Sequence, residues 1–305
     1  MSPARVEGAI LAFALLAAVS GCGRPPPPPP LHVDAQQAWA RVQEVIAFGP
    51  RPSNSPNAER AATGLAARCQ ALGYTPETDT WQEETPRGVL TFRNVYAERP
   101  GRGSDFVLLV SHYDTKILDA APLFVGANDS ASSTGLLLEL MRVLKTADWA
   151  GPTVRFAFVD GEECYRQYSA NDGLHGSRRL AGRLQQRGEV RHCRAAIVLD
   201  MVGDADLRLT LPTGDDAGLI ALARAGAREL GGEARVGLHS GDIRDDQIPF
   251  RELGIPSLDL IDFQYGPDNA YWHTAGDTMD KLSPASLQFT GDLTLRLLQR
   301  LAEPR

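Results

Sequence analysis

Phe106-Val107-Leu108-Leu109-Val110-Ser111-His112-Tyr113-Asp114 sets five apolar residues one serine ahead of a histidine, with an aspartate two residues further on. A short unbroken apolar run of this kind reads as a strand buried on both faces, the form found in sheets that helices cover. The pattern recurs: residues 154–159 precede Asp160, Glu162 and Glu163, and residues 195–199 precede Asp200. Residues 207–211 and 257–261 are further strand candidates. Helical spacing of apolar residues marks 35–48, 57–72, 132–145, 176–186, 216–230 and 284–301. In the third of these, Leu136, Leu137, Leu140, Met141 and Leu144 form one stripe. This alternation predicts an α/β single domain with a central twisted, mostly parallel (mixed) β-sheet flanked by α-helices. In open sheets of this class ligands bind beyond the carboxyl ends of the strands, so the polar residues that follow the strands are expected to converge on one site.

The chain start is of a different character. Arg5, an apolar run over 9–19 and Val19-Ser20-Gly21-Cys22 make the pattern of a bacterial secretory signal ending at a lipid-modified cysteine. The run is too short to span a membrane, which takes about 20 residues. The expected organisation is a signal peptide over 1–21, a proline-rich linker over 22–31 built on Pro25 to Pro30, and a catalytic domain over 32–305. Such a chain would be an exported lipoprotein, in the periplasm or on the cell surface, touching the membrane only through lipid on Cys22. The net charge of -7 and the scattered arginines leave no basic stripe, so nucleic acid is not an expected partner. Cys69, Cys164 and Cys193, the cysteines after Cys22, are odd in number and irregular in spacing, unlike a disulfide framework or a cysteine-rich zinc site.

Several residues have the right types for metal chemistry. Glu162 and Glu163 are adjacent carboxylates after a buried strand, and their repulsion calls for a cation or a shared proton. One could ligate an ion while the other, with a raised pKa, shuttles protons. Asp129 precedes a helix, where it would either cap the helix or point into the site. His273 follows Trp272 in a loop, and an exposed Trp beside a His is expected to line a pocket. Asp129, Glu163 and His273 together offer two oxygens and one nitrogen with room for a fourth ligand, the open arrangement of a catalytic zinc. His112 and Asp200 would either support a second ion sharing Asp129 or act as outer partners.

These blocks resemble the zinc aminopeptidase superfamily, with its phosphorylase/hydrolase-like fold, over roughly residues 112–282. Longer stretches resemble its animal-type glutaminyl-peptide cyclotransferase branch: His112 to Lys116, Phe124 to Ala127, Asp160 to Glu163, Asp172 to Ala181, Asp245 to Phe250, and Trp272 before His273. The resemblance implies one zinc held by Asp129, Glu163 and His273, with Glu162 as proton shuttle in a network with Asp200 and Asp245. Trp272 and Tyr168 would wall the substrate pocket, and peptide or protein N-termini would be the substrates. The chain departs from that branch in having Tyr168 where Trp is usual, Asp259 where a His is usual, and a longer loop around Gln264, Tyr265 and Gly266. The stretch from Trp272 to Leu282 reads like an aminopeptidase, for which two zinc ions, with His112 and Asp200 on the second, would be expected. A catalytically dead relative is the third possibility, against which all expected ligands and Glu162 are present.

Overall fold

The computed structural model describes residues 31–303, together with Met1. Apart from Met1 and Leu31, the predicted signal peptide and linker, Cys22 included, lie outside the described residues. Among those described, no helix is long and apolar enough to cross a membrane.

The four core strands form where the apolar runs stand. In chain order the strands are β1 (Glu77–Thr85), β2 (Gly88–Arg99), β3 (Phe106–His112), β4 (Thr153–Val159), β5 (Cys193–Asp200), β6 (Leu209–Leu211), β7 (Val236–Leu238) and β8 (Ser257–Ile261). The helices are α1 (Ala35–Ile46), α2 (Pro56–Ala71), α3 (Ser133–Thr146), α4 (His175–Gln186), α5 (Ala217–Glu229), α6 (Ile248–Glu252) and α7 (Pro284–Leu301). The main sheet has the order β1-β2-β4-β3-β5-β8; β4, β3, β5 and β8 are parallel, and β2 and β1 are added antiparallel.

Successive residues of β3 show why the run is apolar throughout. Val107 and Leu109 enter the larger core with α1, α2, α3, α5 and α7, while Phe106, Leu108 and Val110 enter a smaller core with α4 and the α6 region. Helix starts follow local chemistry: Asp34, Ser55, Asp216 and Ser283 each accept backbone amides at an N-cap, and Pro56 and Pro284 occupy the first turn of their helices.

One expectation needs correction, and one pair of strands was not expected. The 207–211 strand shortens to β6, which pairs in parallel with β7 in a separate two-stranded sheet rather than joining the main one. The β1–β2 hairpin was not legible, because β1 reads Glu-Thr-Asp-Thr-Trp-Gln-Glu-Glu-Thr and is largely polar. As an edge strand it needs no apolar face of its own. Arg179 and Arg183 on α4 pair with Asp79, Arg183 pairs also with Glu77, and the turn is closed by the Thr85 hydroxyl donating to Gly88 O at 2.8 Å.

Candidate metal centre

Four strand ends and two loops deliver the polar residues to one place. His112 ends β3, Asp160 to Glu163 follow β4, Asp200 ends β5, and the loop after β8 brings Trp272 and His273. The segment Ala127–Ser132 brings Asp129, and the loop before α6 brings Asp245. Asp129 does not cap α3: its backbone leaves helical dihedrals (φ -105°, ψ 86°), a cis peptide bond links it to Ser130, and its carboxylate turns into the site. Met201 and His273 hold positive φ of 45° and 51°, left-handed backbone in non-glycine residues at the site itself.

His273 Nε2 lies 3.1 Å from both Asp129 Oδ2 and Glu163 Oε1. On the other side His112 Nε2 lies 3.3 Å from Asp129 Oδ1 and 3.2 Å from Asp200 Oδ1. Asp129 thus bridges two triads, Asp129-Glu163-His273 and His112-Asp129-Asp200, each with its ligand atoms within 4.8 Å of one another. In each triad lone pairs converge from every side, so a cation, whether metal or proton, must lie among them. Burial works to lower the imidazole of His273, yet Glu163 and Asp129 push it up to about 10. Burial likewise opposes charge on His112, but Asp114, Asp129 and Asp200 hold it well above the ordinary histidine value. A site that draws protons onto both histidines has the charge and donor set to hold a metal ion, and one nitrogen with two oxygens leaves a position open.

Around the ligands stands a shell of buried partners. Asp114 accepts the backbone amides of Glu162 and Glu163 at 3.2 and 3.3 Å, fixing the turn that presents the acidic pair. Asp277 accepts the amides of Asn128 and Asp129 at 2.7 and 3.1 Å and the Tyr265 hydroxyl at 2.9 Å. Arg51, fully buried, donates to the carbonyls of Tyr113 and Val125, each at 2.5 Å. Sequence reasoning missed the roles of Arg51 and Asp277. Asp277 sat in an aminopeptidase-like stretch, but which backbone amides it would meet is not written there. Tyr265, in the longer loop, is fully buried with its hydroxyl on Asp277, behind the segment that carries Asp129.

Glu162 faces the pocket and accepts from the Tyr168 hydroxyl at 2.6 Å. Burial, then the charge of Asp245, raise its pKa well above the ordinary carboxylate range. Burial also raises Asp245, with Asp200 and Asp246 adding to the effect. Asp200 is bonded to His112, so Asp200 and Asp245 act at this site chiefly as charges. Asp259 is fully buried and acts on Asp245 only through charge; it does not line the pocket. The pocket walls are Tyr168, Ile243, Ile261, Phe263 and Trp272, with Trp272 stacked on His273 at 4.2 Å between ring centroids. A larger cavity, about 650 Å³, opens elsewhere between Tyr74, Tyr96, Arg155 and Leu184, away from either triad.

The comparisons agree with this geometry. Residues 94–298 match peptidase family M28. The glutaminyl-peptide cyclotransferase-like protein of Bos taurus is 30% identical, the match covering 84% of this chain and 73% of that protein. The crystal structure of an Acidobacteriales bacterium glutaminyl cyclase superposes with a TM-score of 0.84 at 33% identity, covering 95% of this chain and 99% of the other. A leucine aminopeptidase precursor from Bacteroides thetaiotaomicron shares the fold at a TM-score of 0.79 and 22% identity, covering 90% of this chain and 98% of the other. With its acidic residues and histidines gathered at the strand ends, and with these relatives, the chain belongs to peptidase family M28, in the branch that the glutaminyl cyclases form.

Proposed function

We propose that the protein is a zinc-dependent glutaminyl-peptide cyclotransferase, converting the N-terminal glutamine of peptides to pyroglutamate with release of ammonia. The observation that carries this reading is Glu162: a buried carboxyl with a raised pKa, held by Tyr168, beside an open metal position in an aromatic pocket. Asp129, Glu163 and His273 would hold the ion, and their donor set suits zinc. When bound, zinc would polarise the γ-amide carbonyl as a Lewis acid.

The chain's own residues do the rest. Trp272, Phe263 and Tyr168 hold the glutamine folded so that its α-nitrogen reaches its own amide carbon, and a reaction within one residue gains from such positioning. Glu162 takes a proton from the α-nitrogen as the new C–N bond forms and gives it to the amide nitrogen. That nitrogen's bond to carbon then breaks, and it leaves as ammonia. A carboxyl whose pKa burial raises suits both halves of this transfer.

One observation favours a second reading. The His112-Asp129-Asp200 triad is as compact as the first, and two ions bridged by Asp129 would suit a hydrolytic aminopeptidase with Glu162 as general base. Incubating the protein and its Glu162→Gln variant, with zinc, with a peptide beginning in glutamine separates the two by mass spectrometry. Loss of ammonia from an otherwise intact peptide supports the cyclase; release of free glutamine overturns it in favour of the peptidase. We also propose export and anchoring through lipid on Cys22, supported by the sequence pattern before it; a Cys22→Ser variant that still labels with fatty acid would count against it.

A further inference from the structure

We infer that Arg244 reads the peptide beyond its N-terminal glutamine and favours substrates that carry a carboxylate there, either an acidic second residue or the terminal carboxylate of a dipeptide. This rests on the cyclase reading. Ile243, Arg244 and Asp245 are consecutive on the pocket wall; the first and third are buried and Arg244 is exposed, so its side chain belongs to the mouth. Among the described residues its guanidinium has no ion pair or hydrogen bond. Neighbouring cations are committed. Arg251 grips Asp242, two residues before Arg244, at 3.0 and 2.5 Å, so that acid is already paired. Arg178 donates to the carbonyls of Ser169 and Gly173, and Lys116 lies 3.1 Å from Glu163.

The pocket is therefore polarised. Its base carries the carboxyl groups of Asp129, Glu162, Glu163, Asp200 and Asp245, while Arg244 at its mouth is a cation, so an approaching peptide meets opposite character at the two ends. A peptide residue spans about 3.3–3.6 Å, so once the glutamine is seated the next side chain emerges near the mouth, within reach of a long arginine. A carboxylate at that point aligns with the field in the productive orientation, and an ammonium opposes it.

The test measures kcat/KM for Gln-Glu-Ala, Gln-Ala-Ala and Gln-Lys-Ala peptides, all amidated, and for Gln-Ala as acid and amide, using the full chain and its Arg244→Gln and Arg244→Glu variants. An exposed ion pair is worth roughly a two- to fivefold effect, so the wild type should prefer Glu over Lys by at least that much. Arg244→Gln should flatten the preference, Arg244→Glu should reverse it, and high salt should weaken it. If Arg244 acts only on the dipeptide acid, its ligand is the terminal carboxylate; if only on Gln-Glu-Ala, the side chain. Turnover with the same Glu-to-Lys ratio and the same acid-to-amide ratio in wild type and Arg244→Glu overturns the inference and leaves the cyclase reading intact. Absence of cyclisation of every peptide by the wild type removes the cyclase reading and this inference with it. The neutral Gln-Ala-Ala peptide reports whether each variant is folded.

Discussion

Asp277 touches neither substrate nor metal in this arrangement, yet it should control how tightly the metal is held. Its Oδ1 accepts from Asn128 N and the Tyr265 hydroxyl, and its Oδ2 accepts from Asp129 N. Asp277→Asn keeps an oxygen on the first side and turns an amide NH₂ toward the Asp129 N–H, so that two donors face each other in a buried place. A hydrogen bond to a charged group contributes about 1.5–3 kcal/mol, and the orphaned N–H carries its own penalty of about 1–3 kcal/mol. Relief comes by moving Asp129, which bridges both triads. Loss of an outer partner of this kind typically lowers metal affinity about 10–100-fold, or about 1.4–2.8 kcal/mol, which overlaps the hydrogen-bond range. Zinc affinity should be measured by competition with a chromophoric chelator, and folding by circular dichroism and the thermal midpoint without metal. An Asp277→Asn protein that is native-like and binds zinc as tightly as wild type would refute the idea that Asp277 aims the ligand.

Removing the Tyr168 hydroxyl in Tyr168→Phe takes a donor from the charged form of Glu162, so the Glu162 pKa should rise further and the acidic limb of the kcat/KM profile should move up by about one pH unit or more; an unshifted limb would separate Tyr168 from Glu162. Asp262 has its pKa raised by burial to about 7, despite accepting the amides of Arg208 and Gln264. The folded state therefore binds a proton that the unfolded state has released, and the protein loses stability as pH rises from about 4 to about 7. Thermal midpoints across that window should fall less steeply in Asp262→Asn; an identical slope would assign the loss to other acids. Gly135 lets α3 approach α1 so closely that a Cβ there would lie 2.6 Å from Val42 N and 2.8 Å from Val42 Cα. Gly135→Ala should cost about 1–3 kcal/mol by overpacking, read as a lowered denaturation midpoint, and no loss would mean that the helices separate freely.

Much of this protein could be read before its tertiary structure was known. An apolar run such as Phe106 to Val110 can be satisfied only where both sides of a strand are covered, and a polar residue directly after it has only the crevice to enter. The strand-end positions of His112, Glu162, Glu163 and Asp200 were therefore legible from order along the chain, as were helix starts where Asp, Ser and Pro cap locally. The β1 edge strand was not legible, because its pairing is supplied by the β2 backbone and by α4 arginines about a hundred residues away. Nor was the direction of Asp129: the residue type suits a helix cap, and only the packing of Asp277 and Tyr265 under its backbone turns the carboxylate toward two histidines. Arg51 shows the same division, since nothing in its own neighbourhood announces that it will be buried against carbonyls of two distant loops. Local propensity and burial pattern act over a few residues and are written in the sequence. Which amide meets which carboxylate depends on loop closures over tens to hundreds of residues, and only the assembled core decides that.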